Sequence, residues 1–367
     1  MLIVLLTVLG LTGVARAQTA APGLYGSAEY LMWWTKDSPA PVPLVTDGVL
    51  GPSTRVLLGG DDVGLGGRNG ARFIVGYSLN PAWAVEAVGF FLSTGTESRS
   101  VAGSGLAGSQ DLFIPFFDPT LPGENVTNLS LAGQFAGAAQ ETLRSHLWGI
   151  ELNGVKALTT RGPWRVELLG GLRYLKLAEE YGFATSSPDL GPGPVNVFVT
   201  QDSFDASNDF YGAQLGLRAR YQAGNFMAGA AAKVAVGVMH QRVDVAGVLV
   251  TNQFTVPVVS YAGGYFAQPT NIGSQARNVA AVVPEASLTV GYRLTGWLSI
   301  SAGYTFLYAS NVARPGEQID RTVNPTQSPS FGGPVDKPLA GEPRPRSRLE
   351  GSDFWAHGLS LGLAVSF

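Results

Sequence analysis

The stretch Phe354-Trp-Ala-His-Gly-Leu-Ser-Leu-Gly-Leu-Ala-Val-Ser-Phe367 decides the fold, because its alternation runs without a break. Trp355, His357, Leu359, Leu361, Leu363, Val365 and Phe367 share one parity, and Ala356, Gly358, Ser360, Gly362, Ala364 and Ser366 the other. Successive side chains of a strand point to opposite faces, so one face is large and mostly apolar and the other small and polar. Such a strand is either a half-buried member of a soluble sheet or the wall of a barrel, with lipid outside and a lumen inside. The rest of the chain chooses between them.

Composition narrows the choice. The 367 residues are 45% hydrophobic and 14% charged, against about 25% charged in an average soluble domain. Glycine is abundant at 48 residues, beside 12 Tyr, 18 Phe and 7 Trp, which favours β-structure with close backbone approach. A net charge of −3 without a Lys/Arg cluster excludes a nucleic-acid partner. With no cysteine, disulfides, thiolate metal sites and cysteine nucleophiles are excluded too. No zinc, phosphate-loop or dinucleotide motif occurs, so no cofactor and no metal is expected.

Residues 1–14 are an apolar run, too short for a spanning helix of ~20 residues. Ala15-Arg16-Ala17 supplies a small-x-small cleavage pattern, which predicts a signal peptide over 1–17 and a mature chain over 18–367, although no Lys or Arg precedes the run.

Along the mature chain, aromatic alternating runs come in pairs. Leu24–Thr35 opens the series; Ala71–Leu79 turns at Asn80-Pro81 into Ala82–Leu92. His146–Leu158 turns into Trp164–Leu177, Asp209–Tyr221 into Phe226–Arg242, and Ala281–Leu294 into Trp297–Tyr308, before Phe354–Phe367 closes the series. Long loops are predicted near 36–70, 93–142, 178–207, 243–278 and 309–353. Ten strands, or eight to twelve if a loop hides a hairpin or a run is miscounted, then alternate short turns with long loops. That layout is an all-β, single antiparallel up-and-down transmembrane barrel, with short periplasmic turns, long extracellular loops and both termini periplasmic. The segment Leu112–Phe117 is too apolar to lie free in water, so it folds inward as a constriction, packs against the barrel mouth or packs on itself at the outer surface.

Register follows from the alternation. Tyr211, Ala213, Leu215, Leu217, Ala219 and Tyr221 oppose Gly212, Gln214, Gly216, Arg218 and Arg220. A one-residue slip would put those arginines in lipid, at ~2–4 kcal/mol each near the midplane. Pro284 cannot donate to a ladder and is expected at a strand rim. By parity the lumen is lined by Glu29, Arg72, Glu86, Glu151, Arg165, Glu167, Arg173, Arg218, Arg220, Lys233, Glu285 and Arg293, five acids and seven bases. Aromatic belts are expected at Trp83, Trp164, Phe226 and Trp297 beside the short turns, and at Trp33, Trp34, Trp148, Tyr308 and Trp355 at the far ends.

These segments resemble a family, the Putative beta barrel porin-7 (BBP7) proteins known mainly from planctomycete bacteria. The resemblance rests on Ser27-Ala-Glu-Tyr-Leu-Met-Trp-Trp-Thr35 before a Pro-rich loop, Gly70-Ala-Arg-Phe-Ile-Val-Gly-Tyr77 and Trp83-Ala-Val-Glu-Ala-Val-Gly-Phe-Phe-Leu92. Pro115-Phe-Phe-Asp118, Leu147-Trp-Gly-Ile-Glu-Leu-Asn153 and Leu169-Gly-Gly-Leu-Arg-Tyr-Leu175 extend it over most of the mature chain. It implies an outer-membrane barrel of porin type, with membrane lipid and the barrel assembly machinery as partners and Phe367 as the assembly signal.

Function is less constrained. Ten strands at ~4.8 Å spacing and ~40° tilt give a backbone diameter of about 20 Å, leaving roughly 8–10 Å between side chains. Both a small pore and a filled barrel fit that size. A porin-like channel passing small polar solutes by diffusion is the first expectation. A closed structural barrel displaying its long loops, for adhesion or envelope contact, is the alternative. A lipid-modifying enzyme is a distant third, because His357 faces outward with no serine nucleophile motif beside it, and no catalytic residue is expected. The oligomeric state stays open.

Overall fold

The computed structural model describes residues 23–191, 196, 198–252, 257–332 and 338–366. The first half of the chain contributes β1 (Gly23–Thr35), β2 (Pro43–Thr46), β3 (Val56–Gly59), β4 (Gly67–Asn80), β5 (Trp83–Leu92), β6 (Gly95–Gly103), β7 (Leu112–Asp118) and β8 (Gly123–Ser130). The second contributes β9 (Gly137–Arg161), β10 (Trp164–Ser186), β11 (Phe198–Ala223), β12 (Phe226–Thr251), β13 (Val259–Ala262), β14 (Gly273–Arg293), β15 (Leu298–Val312) and β16 (Ser352–Ser366). Ten of these close a ring in the order β1-β4-β5-β9-β10-β11-β12-β14-β15-β16 and back to β1, every pairing antiparallel. The closing strand is β16, matching Tyr25 to Ser366 on one side and Leu298 to Val365 on the other. The predicted signal peptide at 1–17 and the predicted assembly signal Phe367 lie outside the described residues.

The outward face explains why these sequences make a membrane wall. Leu215, Leu217, Val234, Val236, Leu288, Val290, Leu361 and Leu363 all stand exposed on the ring's exterior. On β10 the apolar band lies between Trp164 and Tyr174, about 33 Å of tilted strand and so about 25 Å along the membrane normal.

Above that band the strands do not stop, which corrects the predicted loops. The strands β9 to β12 run 25, 23, 26 and 26 residues, roughly 80 Å each at the usual rise. They absorb most of 178–207 and the ends of 93–142 and 243–278, at 137–142 and 243–251. The two faces exchange polarity there. Outside stand Arg144, His146, Ser203, Asp205 and Ser207, while inside Tyr181, Phe183, Phe204, Ala206 and Val243 are buried. A wall that leaves lipid for water needs a polar exterior and an apolar core, as in any soluble sheet. A reading that follows only the lipid-facing apolar residues therefore ends each strand too early.

The remaining loops build a packed cap on this extension. The strands β3-β2-β7-β8 form a second sheet whose Leu112, Ile114 and Phe116 join the same core as Phe183, Phe204, Tyr265 and Phe266. Of the three placements open to Leu112–Phe117, packing against the barrel mouth is the one that matches: the segment is a strand of the cap, in a core shared with the extended ring strands. Asp202, fully buried on β11, ties down the 264–267 loop by accepting the backbone N–H groups of Tyr265, Phe266 and Ala267 at 3.0, 2.9 and 3.2 Å.

Pro284 is not at the rim of its strand; it pairs with Val234 within β14. On its other edge, however, the ladder to β15 begins only at Glu285–Leu307. Beyond it Ser310 and Asn311 bridge with side chains, Ser310 Oγ accepting from Val282 N–H at 2.9 Å and Asn311 Nδ2 donating to Ala280 O at 2.8 Å. The missing donor falls where one ladder ends.

Glycine at the closing seam is a packing requirement. A Cβ on Gly358 would run into the Met32 carbonyl and the Trp33 ring. Gly358→Leu is expected to abolish most of the heat-modifiable folded band on unheated gels, while Leu361→Val, outward on the same strand, leaves it intact. In the cap, Asp202→Asn replaces one of the two accepting oxygens by an amide donor, so at least one of the three N–H groups loses its acceptor, at about 1–3 kcal/mol. Limited proteolysis is expected to cut that variant faster within 257–272 while the barrel stays resistant.

Candidate functional site

The candidate site is the barrel interior, built in layers by the inward parity of the ten ring strands. Nearest the short turns, Glu86 on β5 and Glu167 on β10 meet Arg165, Arg218 and Arg220. Arg218 donates to Glu86 at 3.0 and 2.8 Å and to Glu167 at 2.6 Å, Arg165 donates to Glu167 at 2.7 Å, and Tyr25 donates to Glu86 at 2.7 Å. The Arg218–Glu86 bonds reach over two intervening strands, since β9 and β10 lie between β5 and β11 in the ring, whereas Glu167 is the register partner of Arg218 on the adjacent strand.

Deeper in, Glu151 on β9 and Glu285 on β14 share Arg173 and Lys233. Arg173 donates to Glu285 at 2.6 Å and lies 3.7 Å from Glu151; Lys233 reaches Glu151 at 2.8 Å and Glu285 at 3.0 Å. Gln214 adds bonds to Glu151 at 2.9 Å and Asn153 at 2.5 Å. Beside them Arg72 lies 3.5 Å from Glu29 and 3.4 Å from Thr305. Two carboxylates and two cations, all nearly without solvent, compensate one another; a buried charge is tolerable only on those terms.

A third layer is apolar and crosses the whole bore. Leu31 and Trp33 from β1, Phe90 and Leu92 from β5, Leu147 from β9, Leu175 from β10 and Phe210 from β11 pack with Ala235, Val283, Leu307 and Ala356. Nine of the ten ring strands contribute, and Arg72 of the tenth, β4, lies 5.2 Å over the Trp33 ring. Trp33 is 0% exposed, where a water-filled bore would wet it.

Above this the chain after β15 turns inward as an inner plug. Arg314 is fully buried, donating to Glu179 at 2.5 and 3.1 Å, and Asn208 brackets Ala313 with bonds of 2.7 and 2.9 Å to its N–H and carbonyl. In the cap, outside the apolar band, burial holds the Glu141 carboxyl above the usual carboxylate range, and Tyr181 donates to it at 2.5 Å.

All twelve predicted lumen residues take the inward parity of their strands, and eleven of them enter ion pairs with one another. Arg293 stands at the short-turn rim, apart from both clusters. Of the belt residues, Trp83, Trp164, Phe226 and Trp297 are exposed on the exterior beside the short turns, and Trp34 is exposed at the far end. Trp148, Tyr308 and Trp355 take the outward parity there, half-buried. Trp33 is a correction: it is no belt residue but part of the plug, 5.5 Å from Phe90. Its parity with Glu29 carried that signal. Asn153, Gln214, Thr305 and Tyr25 were missed because neutral polar groups on an inward face look like ordinary lumen wall. Arg314 was missed because nothing local marks a loop residue as a plug.

Compared with solved structures, the chain is similar to the outer membrane protease OmpT from Escherichia coli, at 12% identity and a TM-score of 0.46, covering 95% of this chain and 99% of that one. It is also similar to a Pseudomonas aeruginosa FadL homologue, at 13% identity and a TM-score of 0.24, over 95% and 90% of the two chains. Among curated proteins no sequence match is found. The family model described as "Putative beta barrel porin-7 (BBP7)" matches residues 25–367.

Removing one partner from the central cluster leaves uncompensated buried charge, at about 3–5 kcal/mol. Arg173→Met is expected to lower the urea midpoint of the folded barrel in detergent micelles accordingly. Arg242→Gln, at an exposed pair outside the barrel, is expected to leave it within about 0.5 kcal/mol of the parent.

Proposed function

The chain belongs to the beta barrel porin-7 family, and we propose that it works as a closed outer-membrane barrel carrying a folded platform on the cell surface. The short-turn end with both termini then faces the periplasm, and the cap faces outward. The observation that carries this reading is the apolar layer around Trp33, which fills the bore from wall to wall between the ionic clusters and the inner plug.

A platform needs rigidity to present a surface, and the cap has a core of its own. Phe116 meets Phe331 at 4.4 Å, Tyr265 meets Phe331 at 5.4 Å, and Phe183 meets Phe266 at 5.9 Å. Binding loops on a firm scaffold are a common way to make contacts with a partner or a neighbouring envelope layer. No catalytic role is part of this reading. The outward His357 serves the aromatic girdle, bonded to the Tyr304 hydroxyl at 2.9 Å and stacked 6.0 Å from Trp34.

The second reading, a diffusion channel for small polar solutes, is favoured by the inward-facing Thr289, which is exposed near the short-turn mouth. Planar-bilayer recording separates the two. Purified folded barrel is expected to be electrically silent, and to stay silent when residues 316–349 are replaced by a short Gly-Ser linker, because the apolar layer lies beneath the plug. Stepwise openings in the unaltered protein would establish the channel instead. Openings only after the deletion would show that the plug, not the apolar layer, holds the bore shut.

A further inference from the structure

We propose that the short-turn mouth of the barrel is a binding site for a small carboxylate or phosphate anion, with Arg220 as its main ligand. Three guanidinium groups, Arg165, Arg218 and Arg220, face two carboxylates, Glu86 and Glu167, so the cluster carries one positive charge in excess. Both carboxylates already accept two or more hydrogen bonds from other groups. Glu86 accepts from Arg218 and Tyr25, and Glu167 accepts from Arg165 and Arg218.

Arg220 is held in this cluster by ion-pair proximity alone, without a hydrogen bond to either carboxylate. Its nitrogens lie 3.6 Å from Glu167 and 3.8 Å from Glu86, beyond hydrogen-bond range. Its side chain is 46% exposed although it points into the barrel. The guanidinium fork matches a carboxylate or a phosphate in two-point contact.

The facing wall completes the site. On β14 and β15 the inward residues at this end include the hydroxyl-bearing Ser287, Thr289, Ser299 and Ser301, and Arg293 adds a further positive charge at the rim. The central ionic cluster lies deeper in the bore, and low-dielectric walls around a net charge focus its field on what enters. Hydroxyl donors opposite such an arginine suit an oxyanion better than chloride.

This goes beyond the closed-barrel reading; conductance tests that one and binding tests this one, so either can fail alone. The experiment follows unfolding of the full-length barrel in neutral detergent with inorganic phosphate, acetate or chloride added at matched ionic strength. Phosphate or acetate is expected to raise the unfolding midpoint saturably, and Arg220→Gln to weaken that response on the order of tenfold. Arg242→Gln, on the exterior, should respond as the parent does. Phosphatidic acid in mixed micelles forms a separate arm. Protection by free phosphate alone identifies a soluble anion, and protection by phosphatidic acid alone identifies a headgroup. Should Arg220→Gln fail to fold, Arg220→Lys keeps the charge without the fork, and equilibrium dialysis with labelled phosphate should show weaker binding than the parent. No saturable response to any probe, or an equal response in the Arg220 variants, overturns the site.

Discussion

Ten strands close a ring of about 20 Å, and side chains from opposite walls of such a ring meet in the middle. Inward residues can therefore find partners across the bore as well as beside them. Arg218 reaches from β11 to Glu86 on β5, and Arg173 from β10 to Glu285 on β14. In a wider barrel the same residues would line an aqueous wall. Here they become cross-braces, and their desolvation is tolerable because acids and bases alternate around each cluster.

Polarity along the axis follows from what surrounds the wall at each height. Between the aromatic girdles lipid requires an apolar exterior, so charge can only sit inside. Above the outer girdle water requires a polar exterior, so the apolar residues move inside, as Tyr181, Phe183 and Phe204 do. The strands keep one register through this exchange; only the chemistry of the two faces switches. The apolar layer at Trp33 and Phe210 lies below the cap core, between it and the ionic clusters.

How much of this is readable in the amino-acid order depends on range. Inside and outside of each wall are local properties, and strict period-two alternation carries them, which is why Arg72, Glu151 and Lys233 fall inward as parity requires. Strand ends are less legible. At Ala178 on β10 the outward face turns polar, which looks like a loop beginning although the strand continues to Ser186. Whether the bore is open was not legible, because it depends on which side chains meet across the ring. Trp33 beside Phe90, or Arg314 on Glu179, joins residues 57 and 135 positions apart. A hydrophobic inward residue such as Phe210 also looks unremarkable until its facing partners are known.

The closing strand shows how local and long-range constraints combine. Its small face, Ala356, Gly358, Ser360, Gly362 and Ala364, first looks like the wall of an open lumen. At Gly358 the small size instead makes room for Trp33, so there the glycine serves closure. Toward the short turns the same face lies beside Glu29 and Tyr25 of β1. There β14, β15 and β16 offer mostly hydroxyls and glycines, with Arg293 at the rim, while β5, β10 and β11 carry the other arginines and glutamates, and exposure rises at Thr289 and Arg220. At this end one side of the ring is thus bulky and charged and the other smaller and mostly polar, and the same period-two alternation builds both.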